Sequence, residues 1–177
     1  MITTAFDDAD FSILKYKPSV VKPFYIDMEP TTLLRRFRFL IDLLYGYSVY
    51  YMMVDGKPVG YCTITSGRNP RFWFADKEDI IVGPYYVDEA QRGKGYATRL
   101  VEAVIKECET DWKDAYVLIK NSNAASIKVT QRLGGILQFY VRNTRMKRLV
   151  MDYRGEYGVY RIRNPKKKET VEAADGK

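Results

Sequence analysis

The residues best suited to do chemistry in this chain lie in one turn, Val87-Asp88-Glu89-Ala90-Gln91-Arg92-Gly93-Lys94-Gly95-Tyr96-Ala97-Thr98. The apolar β-type run Ile80-Ile81-Val82-Gly83-Pro84-Tyr85-Tyr86-Val87 leads into it. Beyond it, apolar residues recur at Ala97, Leu100, Val101, Val104, Ile105 and Cys108, the buried stripe of an amphipathic helix. A helix start leaves backbone N–H groups without internal partners, and its macrodipole adds partial positive charge there. Gly93 and Gly95 keep side chains clear of those amides, while Arg92 and Lys94 supply countercharge. The chemistry this predicts is the binding of a diphosphate. The plainer alternative is an ordinary strand–turn–helix connection whose cations are merely solvated.

Other machinery is excluded by residue type. The chain has no histidine, which rules out Ser–His–Asp and Cys–His catalysis and histidine-held metals. Its 2 cysteines, Cys62 and Cys108, cannot form a four-cysteine site, so no metal is expected. Both read as buried free thiols, which suits a reducing compartment such as the cytoplasm. Acid–base work is left to carboxylates, Tyr, Lys, Ser, Cys or water.

The elements that must position the turn follow from periodicity. With 177 residues, 46% of them hydrophobic and 29% charged, the chain has the length and composition of one folded domain. Residues 1–10 are expected to be a flexible start, without the layout of a signal peptide. Phe11 to Lys17 predicts a first strand, closed by Pro18. Leu33, Phe37, Leu40, Ile41 and Leu44 fall at helical spacing, and Gly46 suits the end of that helix. Tyr47 to Val54, Asp55-Gly56 and Val59 to Thr65 predict a hairpin. Arg71-Phe72-Trp73-Phe74 is an aromatic insert that could be a strand, a lip over a pocket or part of the packing. After the central strand and its helix come a short strand at Tyr116 to Ile119 and a helix from Ala124 to Leu133. Asn123 stands at that helix's N-cap, and Gly134-Gly135 ends it. Ile136 to Val141, Leu149 to Tyr153 and Gly158 to Ile162 are β-like, with the pairing of the last two left open. Residues 164–177 are expected to be a disordered polar tail. The order predicts an α/β (α+β) fold, a sheet of mixed direction with helices on both faces. No run approaches the roughly 18 apolar residues of a membrane span. The net charge of +7 suits an anionic ligand, while nothing in the pattern supports nucleic acid.

The turn fits neither the Gly-x-Gly-x-x-Gly dinucleotide fingerprint nor the Walker loop. It does contain Arg92-x-x-Gly95-x-Ala97, which resembles the Arg/Gln-x-x-Gly-x-Gly/Ala signature of the GNAT superfamily of acyl-CoA-dependent N-acyltransferases. The segment from Asn123-Ala124-Ala125-Ser126 to Gly134-Gly135 resembles that family's Asn-x-x-Ala/Ser…Gly-Phe helix. The likeness spans residues 11–163 and implies a single splayed-sheet domain. It implies acetyl-CoA as cosubstrate, with Tyr86 and Val87 offering backbone to the pantetheine arm beside a bulge at Gly83-Pro84. The diphosphate would lie on Arg92, Gly93, Lys94, Gly95, Tyr96, Ala97 and Thr98, and Asn123 and Ser126 would meet the arm. The reaction implied is acetyl transfer to a primary amine on a small molecule, amino sugar or peptide, by a monomer or homodimer. A coenzyme A-binding module without turnover is the alternative.

The chain departs from the commoner family pattern twice. Thr130 stands where many relatives carry a tyrosine acid, and Ile81 where a glutamate base is frequent. The Asn-x-x-Ser form is similar to ribosomal-protein N-terminal and amino-sugar acetyltransferases, which would make Ser126 the acid, with Tyr153 the next hydroxyl to consider. Glu78 and Asp79 are the carboxylates nearest to the missing base, acting through water. The helix Leu33 to Leu44 and the aromatic insert would frame the acceptor.

Overall fold

Strands that are alternately buried at β2 and β6 and buried on both faces along most of β4 build a single sheet that carries the helices and turns of the site. The computed structural model describes residues 1–22, 24–26, 28, 42–108, 111–144 and 148–164. In chain order the strands are β1 (Ile2–Asp7), β2 (Ser12–Tyr16), β3 (Tyr47–Val54), β4 (Lys57–Ser66) and β5 (Ile80–Val87). They continue with β6 (Asp114–Lys120), β7 (Ile136–Asn143), β8 (Leu149–Met151) and β9 (Tyr157–Arg163). The helices are α1 (Tyr96–Lys106) and α2 (Ala124–Arg132), with a 3-10 turn at Glu89–Gln91. The sheet order is β1-β2-β3-β4-β5-β6-β9-β7-β8. All neighbours run antiparallel except β5 and β6, the strands that α1 connects.

Local chemistry explains the best-anticipated elements. The β3–β4 hairpin turns at Asp55 and Gly56, both at positive φ (50° and 71°), a conformation that Asp and Gly tolerate. Helix α1 buries Leu100, Val101 and Val104, and Val129 of α2 joins the same core on that face. There they meet Tyr50, Cys62, Ile80, Val82 and Val117 from the sheet. The opposite face carries two separate apolar clusters. One spans Tyr16, Val49, Tyr51 and Tyr61, with Phe24, Ile26 and Met28 packed over it. The other gathers Val141, Leu149 and Val159 with Phe72, Phe74 and Phe139.

Two expectations change, one lies mostly outside the described residues, and one pairing left open is decided. Residues expected to be loose at the start form β1, whose register runs from Ile2 opposite Tyr16 to Asp7 opposite Ser12. Its side chains are mostly exposed, so backbone hydrogen bonding to β2 orders it without an apolar pattern to betray it. Asn164, placed in the tail by sequence, is buried and donates from Nδ2 to the Trp112 carbonyl at 2.6 Å. The body therefore includes it, and residues 165–177 lie outside those described. The helix expected from Leu33 to Leu44 also falls mostly outside the described residues, which resume in helical residues 42–44. Finally, β9 returns between β6 and β7, leaving β8 at the edge.

The aromatic insert is part of the packing. Phe74 meets Tyr116 and Phe139 with ring centroids 5.4 and 5.6 Å apart. Trp73 stacks on Phe139 and donates its indole N–H to the Leu149 carbonyl at 3.0 Å.

Gly60 leaves no room for a side chain between β4 and β5. A Cβ there would stand 2.6 Å from the Tyr86 carbonyl oxygen and 3.4 Å from Leu100. Overpacking of this kind costs about 1–3 kcal/mol, at roughly 2–4 °C per kcal/mol for a chain of this size. Gly60→Ala should therefore lower the melting temperature by about 3–10 °C. An unchanged thermal transition would show that the strands can separate here freely.

Candidate functional site

The site begins where a strand loses its neighbour. β5 pairs with β6 only through Ile80, Ile81 and Val82, opposite Ala115, Tyr116 and Val117. Past that point β5 stays with β4 and β6 stays with β9, so the two strands part. The cis Gly83-Pro84 bond lies at the parting, where the N–H that proline lacks is not needed by β6. Opposite it, the β4 register shifts between Cys62 and Ile64, and Thr63 donates its hydroxyl to the Pro84 carbonyl at 3.3 Å. The outer half of β5, carrying Tyr86 and Val87, thus presents an edge toward the gap.

The glycine turn sits at the end of that edge. Asp88 accepts from the Ala90 N–H and starts the 3-10 turn. Gly93 and Gly95 have φ of 81° and 78°, and a Cβ on either would meet nothing within 4 Å. The glycines are therefore needed for their left-handed backbone, and the space before them is open. Gly95 is also the N-cap of α1 and gives it no side-chain cap. Thr98 and Arg99 donate their N–H groups to the Gly95 carbonyl at 3.1 and 3.2 Å, so the amides that the helix itself leaves for a ligand are those of Tyr96 and Ala97.

The two cations are arranged differently from the simple countercharge expected. Arg92 donates from Nε to the Val87 carbonyl at 3.3 Å, pairs with Glu89 at 3.0 Å and lies over the Tyr86 ring. It clips the turn to the end of β5. Lys94 donates to the Gln91 side chain at 2.8 Å. Both side chains are exposed, and backbone lies at the centre of the turn.

On the far side of the gap stands α2. Asn123 is its N-cap, is exposed, and accepts from the Ser126 N–H at 3.1 Å through its carbonyl oxygen. Ser126 is half-buried in the first turn. Tyr85, on β5, donates its phenolic hydrogen to the Ser126 carbonyl at 3.1 Å. Burial pushes the Tyr85 pKa up, against smaller opposing contributions from hydrogen bonding with Ser126 and Thr130. No sequence signal marked Tyr85, because nothing in spacing shows that its phenol reaches a helix 41 residues further on. Tyr153, the fallback hydroxyl, is 79% exposed in the turn after β8.

Glu78 and Asp79 lie at the other end of β5, about 25 Å from Val87 at the ordinary rise per strand residue. Asp79 is 3% exposed, and its carboxylate oxygens accept from the Asp76 and Asp114 amides at 2.7 and 3.0 Å. Burial raises its pKa above the ordinary 3.8, more than those two bonds lower it. Its carboxylate is thus committed to tying β5 and β6 together where they do pair. Glu78 is exposed, and its carbonyl accepts from the Lys113 N–H. A cavity of about 690 Å³ opens at this end, lined by Lys15, Lys77, Glu78 and Asp79, away from the glycine turn. Cys62 is fully buried, and burial pushes its thiol pKa strongly upward.

Among the described residues no cluster of acidic or sulfur side chains could hold a metal ion, and no helix is long and apolar enough to cross a membrane. The group that does fit is a diphosphate on an extended arm. An uncapped helix start, open space at two left-handed glycines and an adjoining strand edge supply the donors it needs.

The model of the Acetyltransferase (GNAT) family matches residues 18–135. No curated protein matches by sequence. The fold is similar to that of RimL, a ribosomal L7/L12 alpha-N-protein acetyltransferase, with a TM-score of 0.62 at 13% identity over 93% of this chain and 96% of that one. It is also similar to the ribosomal-protein-S18-alanine N-acetyltransferase of Escherichia coli, with a TM-score of 0.54, 17% identity and coverage of 77% and 79%. An aminoglycoside acetyltransferase in complex with coenzyme A superposes with a TM-score of 0.58, 18% identity and coverage of 81% and 82%.

The geometry at Asp79 separates a structural carboxylate from a catalytic one. Asp79→Asn keeps one acceptor oxygen and turns the other into a donor facing an amide, at a cost of about 1–3 kcal/mol. The melting temperature should fall while turnover per folded molecule stays within about threefold, since general-base losses run to 10²–10⁴. A hundredfold loss of turnover in a well-folded variant would restore Asp79 as the base.

Proposed function

Because the chain belongs to the GNAT acetyltransferase family, we propose that it transfers an acetyl group from acetyl-CoA to a primary amine by direct attack on the thioester. The observation that carries this reading is the uncapped start of α1, placed at the end of a strand that has just parted from its neighbour. Coenzyme A, when bound, supplies a diphosphate, an amide-bearing arm and an acyl group activated as a thioester. The chain's own residues account for each part. The amides at the start of α1, around Gly95, Tyr96 and Ala97, hold the diphosphate, while Thr98 closes the first turn on the Gly95 carbonyl. Arg92 and Lys94 add positive charge at the rim, and Gly93 gives the turn its shape. The free edge of β5 at Tyr86 and Val87 pairs with the arm as an extra strand would, and its N–H groups polarise the acyl carbonyl. Asn123 donates to the arm from the other bank.

The amine side lies on the face opposite α1 and α2. An alkyl ammonium has a pKa near ~10.4, so the acceptor has to lose a proton before it attacks. Two apolar banks flank the gap on this face: Phe24, Ile26 and Met28 over Tyr61 and Tyr86, and Phe72 with Phe74 over β6 and β7. They would exclude water around the acceptor, which favours its neutral form. The departing thiolate takes a proton from Ser126, the half-buried hydroxyl at the first turn of α2. The acceptor is an amine on a small molecule, an amino sugar or a peptide. The reading includes a cytoplasmic setting, in which Cys62 and Cys108 remain thiols, and action as a monomer or homodimer.

Two variants at Gly95 isolate the electrostatic part of the cradle. Its φ of 78° strains most side chains, so a glutamate there would disturb the backbone as well as the charge. Asn and Asp tolerate that conformation and differ only in charge. Gly95→Asp should bind acetyl-CoA at least about 10-fold more weakly than Gly95→Asn by calorimetry, because its carboxylate faces the diphosphate. Equal affinities would remove the diphosphate from this turn. For the acid, Ser126→Ala should lower kcat by roughly 10- to 10⁴-fold with acetyl-CoA affinity little changed, measured as thiol release over an amine panel. A raised KM at constant kcat would make Ser126 a binding residue instead. Binding of acetyl-CoA without thiol release for any amine would mark a silent coenzyme A-binding module.

A further inference from the structure

The parting of β5 and β6 creates a mechanical problem at its open end. Sheet hydrogen bonds hold the two strands together only through Val82 and Val117. Beyond Val82 the sheet pairing of β5 is to β4 alone, and α2 rides on the chain that leaves β6. The sheet therefore does not set the distance between the β5 edge and the first turn of α2. Apolar contact through Ile127 and Leu133 is non-directional and tolerates sliding.

One directional bond spans this distance. The Tyr85 hydroxyl donates to the Ser126 carbonyl at 3.1 Å, joining the outer half of β5 to the helix turn that carries Asn123 and Ser126. A carbonyl can only accept, so the phenol is the donor here whatever its surroundings. Strand alternation points Tyr85 to the helix face, while Tyr86 points to the other face and stacks on Tyr61. The same helix carries the buried Thr130, one helical turn on from Ser126. Thr130 is the position where the resembled family's helix often carries a tyrosine. In this chain a phenol reaches that helix from the strand, at the Ser126 carbonyl.

We propose that Tyr85 is a positioning residue, a strut that fixes the first turn of α2 against the parted edge of β5 and so sets the width of the gap in which Ser126 and Asn123 work. The inference rests on the coenzyme A reading for what fills the gap, but the strut is a property of the protein alone. Half-burial of Tyr85 keeps the bond out of competition with bulk water. Rupture would not unfold the molecule, because the ring still packs and the core beneath α1 is untouched.

The test is Tyr85→Phe in the full chain, which removes the hydroxyl and keeps the ring. In the ligand-free protein, amide hydrogen exchange in α2 should quicken by about 2- to 10-fold, the worth of one net hydrogen bond, while α1 exchanges as before. Calorimetry with coenzyme A should show a dissociation constant weaker by a similar factor of about 2 to 10. Unchanged exchange in α2 would overturn the proposal. So would equal acceleration in α1 and α2 together, since that marks general loosening instead of a local strut. Should the wild-type protein bind no coenzyme A, the functional reading falls, and the exchange comparison still decides the strut.

Discussion

A strand has two edges, and past Val82 β5 has, among the described residues, a strand partner for only one of them. The rest of the structure is arranged around this shortage. Unpaired backbone cannot stay buried without partners, so the parted edge has to be open to water or to a ligand that supplies them. The chain places Gly83 and Pro84 at the parting, where a missing N–H and a flexible residue do least damage to the ladder. It then ends the strand on a glycine turn whose helix also begins with unsatisfied donors. Two sources of free amides are thereby set end to end, one suited to an extended amide-bearing arm and the other to an anion.

The closed and open ends of the gap are held by different chemistry. At the closed end Asp79 binds two backbone amides from inside the protein, and the neighbouring carbonyls accept from Gly67 and Lys113. Burying a carboxylate there is costly, as its raised pKa shows, and the two amide bonds offset part of that cost. At the open end a neutral phenol bond is sufficient, because little charge or backbone is buried. Rigidity at one end and a single strut at the other suit a site that must admit a long ligand.

The two apolar clusters on the far face follow from the same parting. A continuous sheet would carry one core on each side, whereas here the aromatic residues divide into a bank over β2 to β5 and a bank over β6 to β9. Arg92 marks the junction. Its contacts with Val87, Glu89 and Tyr86 tie the glycine turn to the first bank.

Much of this was legible from residue types alone, because it depends on neighbours close in the chain. The left-handed glycines of the turn, the amphipathic stripe of α1, the Asn123 cap and the Asp55-Gly56 hairpin are local features, determined within a few residues. The expectation of a diphosphate cradle rests on them. What only the tertiary structure decided involves partners far apart in sequence. Asp79 looked like a candidate base until its two oxygens met amides from Asp76 and Asp114. Tyr85 looked like an ordinary strand residue until its phenol met Ser126. The early strand Ile2–Asp7 and the insertion of β9 beside β6 were hidden for a related reason. Backbone pairing satisfies N–H and C=O groups whatever the side chains are, so it leaves no pattern in the sequence by which to find it.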